Sequence, residues 1–506
     1  MNNNNKMVYN TFVVYGQLVI SMLLGLLAVR LVLRALGEES YGIYMLVGGV
    51  VAMLNVITTS LSNASMRFIS NSLGKGDLSI AKKTFNTSIN IHIIFALMLL
   101  LILEVGGFFM FEYFLNIPDG RVFEAQIVYQ LMVAAAFITL VSVPYDAVIN
   151  AHENLLLLSI IVILGQVCQL CLALYILYFC NDNHLIIYSL GLFFSQILQR
   201  LLKQLFCNKH YQECVLSLRE GIDFSIMKPM LKFVGWDFFS TATSILVINL
   251  KNILVNMFFG VRLNAGQGIA TNVNGYVNNL SRGITSAITP QMNKSEGAGD
   301  RNRLVNLTYI GVKYTTFMFA LFAIPLMIEN EFVITLWLGD VPSFAIIFCQ
   351  LILLNQLVDK LTWQICNAIR SVGDIKLMTL LECMSNFLYI ITVYLVLKTG
   401  KSPEWIYLTE LVFISFNGMI RLTLAKRMLN ICIVDYVKST ILPIIIPMIL
   451  PVVIAYMLHT LLLPSLYRVV MVFGSFIITY ILIFIFIGVN RSERQNIISL
   501  IFSLFK

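Results

Sequence analysis

Long apolar segments alternate with short polar ones along the whole chain. Each apolar segment approaches the roughly 20 residues that an α-helix needs to cross a bilayer, and none shows the strict alternation of a membrane-barrel strand. The pattern therefore predicts an all-α polytopic membrane protein with about 14 transmembrane helices. The predicted spans are 11–33, 42–66, 87–111, 125–149, 154–179, 185–206, 233–259, 264–289, 306–328, 343–369, 376–397, 404–425, 436–460 and 466–489.

The composition agrees with this pattern and excludes two other classes of protein. Of the 506 residues, 58% are hydrophobic and 12% are charged, and the mean hydropathy is +0.84. Soluble proteins carry about 25% charged residues, whereas disordered chains combine low hydrophobicity with high net charge. The predicted spans use most of the hydrophobic residues, so little sequence remains for a large soluble catalytic module.

The basic residues predict how the spans are oriented. With a cytoplasmic N-terminus, 24 of the 34 basic residues, Arg421 among them, fall in inside segments, and four lie within spans. Because Lys and Arg collect in cytoplasmic loops, we expect both termini inside, and the net charge of +8 requires no nucleic-acid partner. No small-residue cleavage site follows the first apolar run, which is therefore predicted to be a retained span. The six outside residues are Arg34, Arg121, Arg262, Lys398, Lys401 and Arg468.

An internal repeat with an offset of 223 residues divides the chain. A Gly-x-Gly-Asp element follows the second span at 74–77 and the eighth span at 297–300, and Gly37 and Asn55 match Gly260 and Asn278 at the same offset. Spans 1–6 and 7–12 are therefore predicted to be two six-helix lobes of the same orientation, with substrate sites between them near the membrane midplane. The predicted divisions are an N-lobe (1–206), a cytoplasmic linker (207–232), a C-lobe (233–428), two extra spans (429–489) and an amphipathic cytoplasmic tail (490–506).

The eighth span is the least membrane-like, because polar residues recur along it at steps of three or four. This spacing places them on one helix face, where they either form hydrogen bonds with other helices or line a water-filled cavity. The matching face of the second span is aromatic and moderately polar, which suits sugars and also many drugs. The polar residues of the eighth span are Asn264, Gln267, Thr271, Asn274, Asn278, Arg282, Thr285 and Thr289, and the second span presents Tyr41, Tyr44, Gly48, Asn55, Thr59 and Ser62.

Four cations lie inside predicted spans, where a charge is costly unless it faces water or a partner. Lys251 and Lys360 are deep, whereas Lys313 and Arg30 have the alternative of extending toward the inner and outer surfaces. We predict that these four residues line a substrate path. Arg67, at the end of the second span, is either a binding group at the cytoplasmic mouth or an ordinary topology charge.

Two embedded acids, Asp237 and Glu382, lie about two turns from the predicted inner face. They either pair with basic residues or bind a coupling cation. The five histidines lack metal-ligand spacing, and the chain has no phosphate-binding loop of the Walker type. We therefore predict no enzyme activity, no metal and no cofactor.

Short motifs of the chain resemble those of a known transporter family. The stretch Arg30-x-x-x-Arg34-x-x-Gly37, followed by Tyr-Gly-Ile-Tyr at 41–44, and the Gly-x-Gly-Asp elements are similar to motifs of bacterial polysaccharide transporters. These are the O-antigen and capsule flippases of the multidrug/oligosaccharidyl-lipid/polysaccharide superfamily. The resemblance implies a V-shaped pair of lobes that operate by alternating access in the bacterial cytoplasmic membrane.

The same resemblance implies a cargo, which is an undecaprenyl-diphosphate-linked oligosaccharide moved from the inner to the outer leaflet. Its diphosphate would meet the embedded cations, and its glycan would meet the polar face of the eighth span. The implied partners are this substrate, membrane lipids, a polysaccharide polymerase and glycosyltransferases. Whether a cation gradient or the membrane potential drives transport stays open.

Three alternatives stay open at this stage. The first two are a multidrug or cation antiporter and a peptidoglycan-precursor flippase, both of the same superfamily. The third is a membrane polymerase or ligase, which would want a large outside loop that this sequence lacks.

Overall fold

The computed structural model describes residues 3–52, 55–114, 119–215 and 223–489, and these residues are helical apart from short connections. Helix α1 is interrupted at Gly37, where the backbone φ angle is 77°. The helices are α1 (Asn3–Ala52), α2 (Asn55–Gly74), α3 (Leu78–Phe109), α4 (Val122–Ala151), α5 (Leu155–Phe179), α6 (His184–His210), α7 (Phe224–Phe259), α8 (Val261–Gly297), α9 (Arg301–Ile328), α10 (Asn330–Leu338), α11 (Ala345–Val372), α12 (Lys376–Lys398), α13 (Trp405–Leu429), α14 (Ile433–Tyr436), α15 (Leu442–Leu461) and α16 (Leu466–Ile483).

Within the described residues, twelve helices are long and apolar enough to cross a membrane. The prediction of an all-α, multi-pass membrane protein is therefore confirmed. The second predicted span, 42–66, is divided between the end of α1 and α2, and the eighth corresponds to α8. Helices α2 and α8 contain many polar residues and are not among the twelve. The count of fourteen spans stays a prediction, and the predicted tail at 490–506 lies outside the described residues.

The chain forms two compact units. The first unit contains residues 9–238 and 293–299, and the second contains residues 239–292 and 300 onward, together with the start of α1. The predicted linker at 207–232 is partly helical, because α6 continues to His210 and α7 starts at Phe224.

Each unit has its own apolar core. In the first unit, α2, α3, α4 and α6 meet around fully buried Phe85 and Tyr145. In the second unit, α7 to α13 pack around Phe319 and Phe348. A further cluster around Phe476 packs α15 and α16 against α9, which places both of the extra C-terminal helices in the second unit.

The backbone repeats itself at the offset predicted from the sequence. Gly37 and Gly260 have φ angles of 77° and 80°, and Gly76 and Gly299 have φ angles of 72° and 75°. These are conformations that glycine adopts without steric cost, and they end or interrupt a helix at the same place in each repeat. Asp77 and Asp300 then accept hydrogen bonds from backbone N–H groups in the first turns of α3 and α9, as N-cap residues do.

The two Gly-x-Gly-Asp elements are also in contact with each other's helices, all within the first unit. An added Cβ on Gly74 would lie 2.2 Å from the backbone oxygen of Lys294, and one on Gly297 would lie 2.0 Å from the backbone oxygen of Asn71. Asn71 and Lys294 are themselves 223 residues apart. The ends of α2 and α8 therefore cross symmetrically, and only glycine allows the backbones to come so close.

Candidate transport site

The most highly charged buried cluster among the described residues lies in the second unit and joins three helices. Arg421 on α13 donates from Nε to Glu382 Oε1 on α12 at 2.7 Å and from Nη1 to Asp359 Oδ1 on α11 at 2.6 Å. Its side chain is only 6% exposed. The sequence predicts that Glu382 either pairs with a basic residue or binds a coupling cation, and in the structure it is paired with Arg421.

Arg421 corrects one assignment made from the sequence. It is counted there with the cytoplasmic loop charges, because it lies near the end of an apolar run, but the structure buries it. Removing such a charge from water is costly, and the two carboxylates compensate for that loss. A further hydrogen bond to Thr362 Oγ1, at 3.2 Å, engages another of its donor groups.

Lys360 lies beside this cluster on α11 and has a different environment. The residue is 6% exposed, and no carboxylate lies within ion-pair distance of its Nζ atom in the described parts of the chain. The Phe319 and Trp363 rings lie 5.9 and 6.0 Å from Nζ, at the limit for cation–π attraction. Lys360 is therefore a buried cation whose adjacent acid, Asp359, is already bound to Arg421.

Arg282 adds positive potential next to Lys360. It is exposed, it lies on α8, and it is close enough to Lys360 to interact electrostatically. Within the described residues it forms no ion pair. Lys360 and Arg282 together offer positive charge to an anion in the second unit.

The other polar residues of α8 differ in whether their side chains form hydrogen bonds, and with which helix. Gln267 donates to Asn252 Oδ1 at 2.8 Å, and Asn278 donates to Gln356 Oε1 at 3.4 Å, so these two residues connect helices. Thr271 is exposed, and its hydroxyl bonds to its own helix. The side-chain oxygens of Asn264 and Asn274 are buried, and neither has a hydrogen-bond partner among the described residues.

The other predicted cations of the second unit are embedded differently. Lys251 Nζ lies 3.1 Å from Glu410 Oε1 and 5.0 Å from the centre of the Tyr407 ring. Lys251 is thus paired and packed, which favours a structural role. Lys313 is 2% exposed on α9.

In the first unit, the predicted site residues are dispersed. Arg30 is exposed on α1, and Arg67 lies over the rings of Phe68 and Phe233, at 4.7 and 5.2 Å. Asp237 is fully buried and accepts a hydrogen bond from Asn63 at 2.9 Å. Tyr44 packs edge-on against Tyr188, with 5.4 Å between ring centres. The side chain of Asn55 lies outside the described part of the chain.

A second charged cluster was not predicted from the sequence. The fully buried carboxylate of Glu329, at the end of α9, accepts from Arg468 Nη2 at 2.9 Å and lies 2.8 Å from His459 Nδ1. Arg468, counted above as an outside charge, is therefore buried. The cluster connects α9 to α15 and α16, and the only signal in the sequence is the position of all three residues at the ends of apolar runs.

Comparisons with known proteins identify the fold. No protein-family model matches the sequence, and no curated protein matches it significantly. Solved structures, however, match over most of both chains. The chain has a MATE-like fold.

Three of these solved structures show the extent of the similarity. A MATE transporter in the bent conformation matches with a TM-score of 0.73 and 13% identity, covering 85% of this chain and 96% of its own. An outward-facing multidrug resistance MATE family transporter of the MOP superfamily gives 0.72 and 14%, with the same coverage. The MATE transporter ClbM in complex with Rb⁺ gives 0.70 and 13%, covering 87% of this chain and 97% of its own. At this identity, the similarity defines the fold and leaves the substrate open.

Proposed function

We propose that this protein is a flippase of the bacterial cytoplasmic membrane. Its substrate is an undecaprenyl-diphosphate-linked oligosaccharide, the repeat unit of an O-antigen, capsule or exopolysaccharide, which it moves from the inner to the outer leaflet by alternating access. In this proposal the chain has fourteen spans and both termini lie in the cytoplasm. It catalyses no chemical reaction, and a glycosyltransferase and a polymerase act before and after it.

The observation that carries this proposal is the environment of Lys360. A buried ammonium group with no carboxylate in ion-pair distance is expensive, and its nearest acid is already bound to Arg421 at 2.6 Å. An anionic diphosphate next to Lys360 and Arg282 would recover much of that energy, since opposite charges attract strongly where water is scarce. Lys360 is therefore assigned as the principal diphosphate-binding residue.

The same charges disfavour a cationic drug at this position. Lys360 and Arg282 would repel it, and both acids of the cluster are already paired with Arg421. One observation nevertheless favours the multidrug or cation antiporter as a second candidate, namely the fully buried Asp237 in the first unit, because a buried acid suits a cationic substrate or a coupling ion. The MATE-like fold is compatible with both candidates.

Deletion of the gene in its native bacterium separates these candidates. We expect lipid-linked oligosaccharide to accumulate and surface glycan to be lost. Normal surface glycan with increased drug sensitivity would contradict the flippase proposal and support the antiporter. Arrested cell-wall synthesis with accumulated peptidoglycan precursor would instead indicate a peptidoglycan-precursor flippase.

Complementation then tests the role of Lys360. Lys360→Met should reduce surface glycan at least about tenfold, which corresponds to a loss of about 1.4 kcal/mol in binding, while the amount of protein in the membrane stays unchanged. Lys426→Met is the matched control, because Lys426 is exposed at the end of α13. Full complementation by Lys360→Met would exclude Lys360 as the diphosphate-binding residue.

A further inference from the structure

The first unit contains a cavity of about 490 Å³, and of the residues discussed above only Tyr44 and Gly48 help to form it. Residues from α1 to α6 line it, at positions near the middle of α4, α5 and α6. Its volume lies within the range of roughly 300–1,000 Å³ that is typical of small-molecule sites. The cavity is therefore large enough to receive part of a substrate.

The lining combines apolar side chains with several uncharged polar groups, and it carries no formal charge. It includes the hydroxyl groups of Tyr44 and Thr58 and the amides of Gln169 and Gln196. Gln169 donates to the Tyr188 hydroxyl at 3.0 Å, which leaves its side-chain oxygen available. Tyr44, Thr58 and Gln196 form no side-chain hydrogen bond with other described residues. These uncharged groups are therefore available to a ligand that supplies both donors and acceptors.

These features favour a neutral ligand that carries both hydroxyl groups and apolar faces. A phosphate would need a cation and a cationic drug would need a carboxylate, and the lining contains neither. A lipid chain would leave the amides and hydroxyls without partners, at a cost in free energy. A sugar presents hydroxyl groups for the amides and apolar ring faces for the aromatic rings of Tyr44 and Phe193.

We infer that this cavity is the subsite for the glycan part of the substrate, and the inference rests on the proposed flippase function. In this inference the neutral sugar is recognised by the uncharged residues of the cavity and not by the basic residues assigned to the diphosphate. Gln196 and Tyr44 are the glycan-binding residues, and Gln169 is held in place by Tyr188.

A substitution at Gly48, which lies on the wall of the cavity, is a direct way to block it. A Cβ added there would lie 3.6 Å from the terminal methyl of Met132, an ordinary contact distance. Gly48→Ala should therefore be tolerated, whereas Gly48→Leu should project into the cavity and fill it. Gln196→Leu is a second variant, which removes an amide and preserves approximate volume.

The test measures the binding of two probes to the purified full-length protein in nanodiscs. One probe is the lipid-linked oligosaccharide extracted from the deletion strain, and the other is undecaprenyl diphosphate without sugar. Gln196→Leu should weaken binding of the first probe about tenfold, as expected for the loss of a good hydrogen bond, and Gly48→Leu should weaken it at least as much because the leucine fills the cavity. Both variants should leave binding of the second probe within about twofold. Gly48→Ala should resemble the wild type, and Lys360→Met should weaken both probes.

The outcomes separate this inference from the proposal on which it depends. Unchanged binding of both probes to Gly48→Leu and Gln196→Leu, or an equal loss of both, would overturn the glycan subsite and leave the flippase function in place. If neither probe binds the wild type, the proposed function fails and the subsite fails with it. A melting temperature close to that of Gly48→Ala establishes that the two leucine variants are folded.

Discussion

In the first unit, the helices at the fourth to sixth predicted spans contribute to a neutral cavity, whereas in the second unit the helices at the tenth to twelfth predicted spans hold a three-residue ion cluster. In the first unit these helices are α4, α5 and α6, which contribute Gln169 and Gln196 to the cavity. In the second they are α11, α12 and α13, which contribute Asp359, Glu382 and Arg421. The two repeats have the same glycine turns and aspartate helix caps. Their interiors differ, because one contains an uncharged cavity and the other contains an ion cluster.

The difference shows that two repeats with the same backbone features can carry unlike chemical environments in their interiors. An uncharged cavity with amide and hydroxyl groups in its wall can form hydrogen bonds with a neutral ligand, while a buried cation without an ion-pair partner attracts an anion. The backbone features common to both repeats, such as the positive φ angles at Gly76 and Gly299, maintain the fold. The side chains inside each unit can then diverge without disturbing it.

The largest expected loss of stability comes from removing Arg421 from the ion cluster of the second unit. Arg421→Met leaves Asp359 and Glu382 buried without their cation, and the loss of one partner of a buried ion cluster costs about 3–5 kcal/mol. Thermal unfolding in detergent should show a clear loss of stability. The control is Arg427→Met on the same helix, because Arg427 is exposed and its removal should have little effect.

A triple substitution sharpens that result. Replacing Asp359 and Glu382 with Leu together with Arg421→Met removes every charge of the cluster, and buried ion clusters are often replaceable by apolar residues at little cost. The triple variant should therefore be more stable than Arg421→Met alone. Equal stability of Arg421→Met and the wild type would show that the cluster is not buried as described.

An intermediate loss of stability is expected at Gly74 and Gly297, where the two repeats have the same close backbone contact. Gly74→Ala and Gly297→Ala each place a Cβ close to 2 Å from a backbone oxygen, and overpacking of this kind costs about 1–3 kcal/mol. The same unfolding measurement should give similar losses for the two variants. Gly106→Ala is the control, since a Cβ there meets no atom within 4 Å, and a large difference between the two variants would break the equivalence of the repeats.

The smallest effect is expected at an ion pair on the helices of the neutral cavity. Lys203 Nζ lies 2.8 Å from Asp146 Oδ1, but the two side chains are 15% and 29% exposed. Solvent screening therefore limits the contribution of the pair to about 0.2–1 kcal/mol. Lys203→Met should lower stability only slightly more than Lys209→Met, an exposed control on α6, and a loss as large as that of Arg421→Met would remove the contrast between the units.

Much of the helix pattern was predictable, because a bilayer imposes a simple rule on length and hydropathy. The predicted span 154–179 corresponds to Leu155–Phe179, and the predicted span 185–206 lies within His184–His210. The repeat was equally visible, since Gly37, Gly260 and the two Gly-x-Gly-Asp elements need particular backbone conformations. The polar character of α2 and α8 was also evident, although composition alone does not establish that they span the membrane.

The partners of the embedded charges were not predictable. Arg421 is 62 residues from Asp359 and 39 from Glu382, and Arg468 is 139 residues from Glu329. Such pairs form only when particular faces of separate helices pack together. The cavity beside Tyr44 was likewise hidden, because it is formed by side chains from several helices and by the small size of Gly48.

The sequence by itself determined that this is an all-helical membrane protein, where most of its helices lie, and that its two halves repeat. Those properties depend on residues close together in the chain, since hydropathy and backbone conformation act locally. Only the tertiary structure decided that Arg421 is neutralised while Lys360 is left beside it without an acid of its own. It also decided that the first unit contains a neutral cavity. The physical reason is that the free energy of a buried charge or polar group depends on its neighbours in space, and those neighbours come from distant helices.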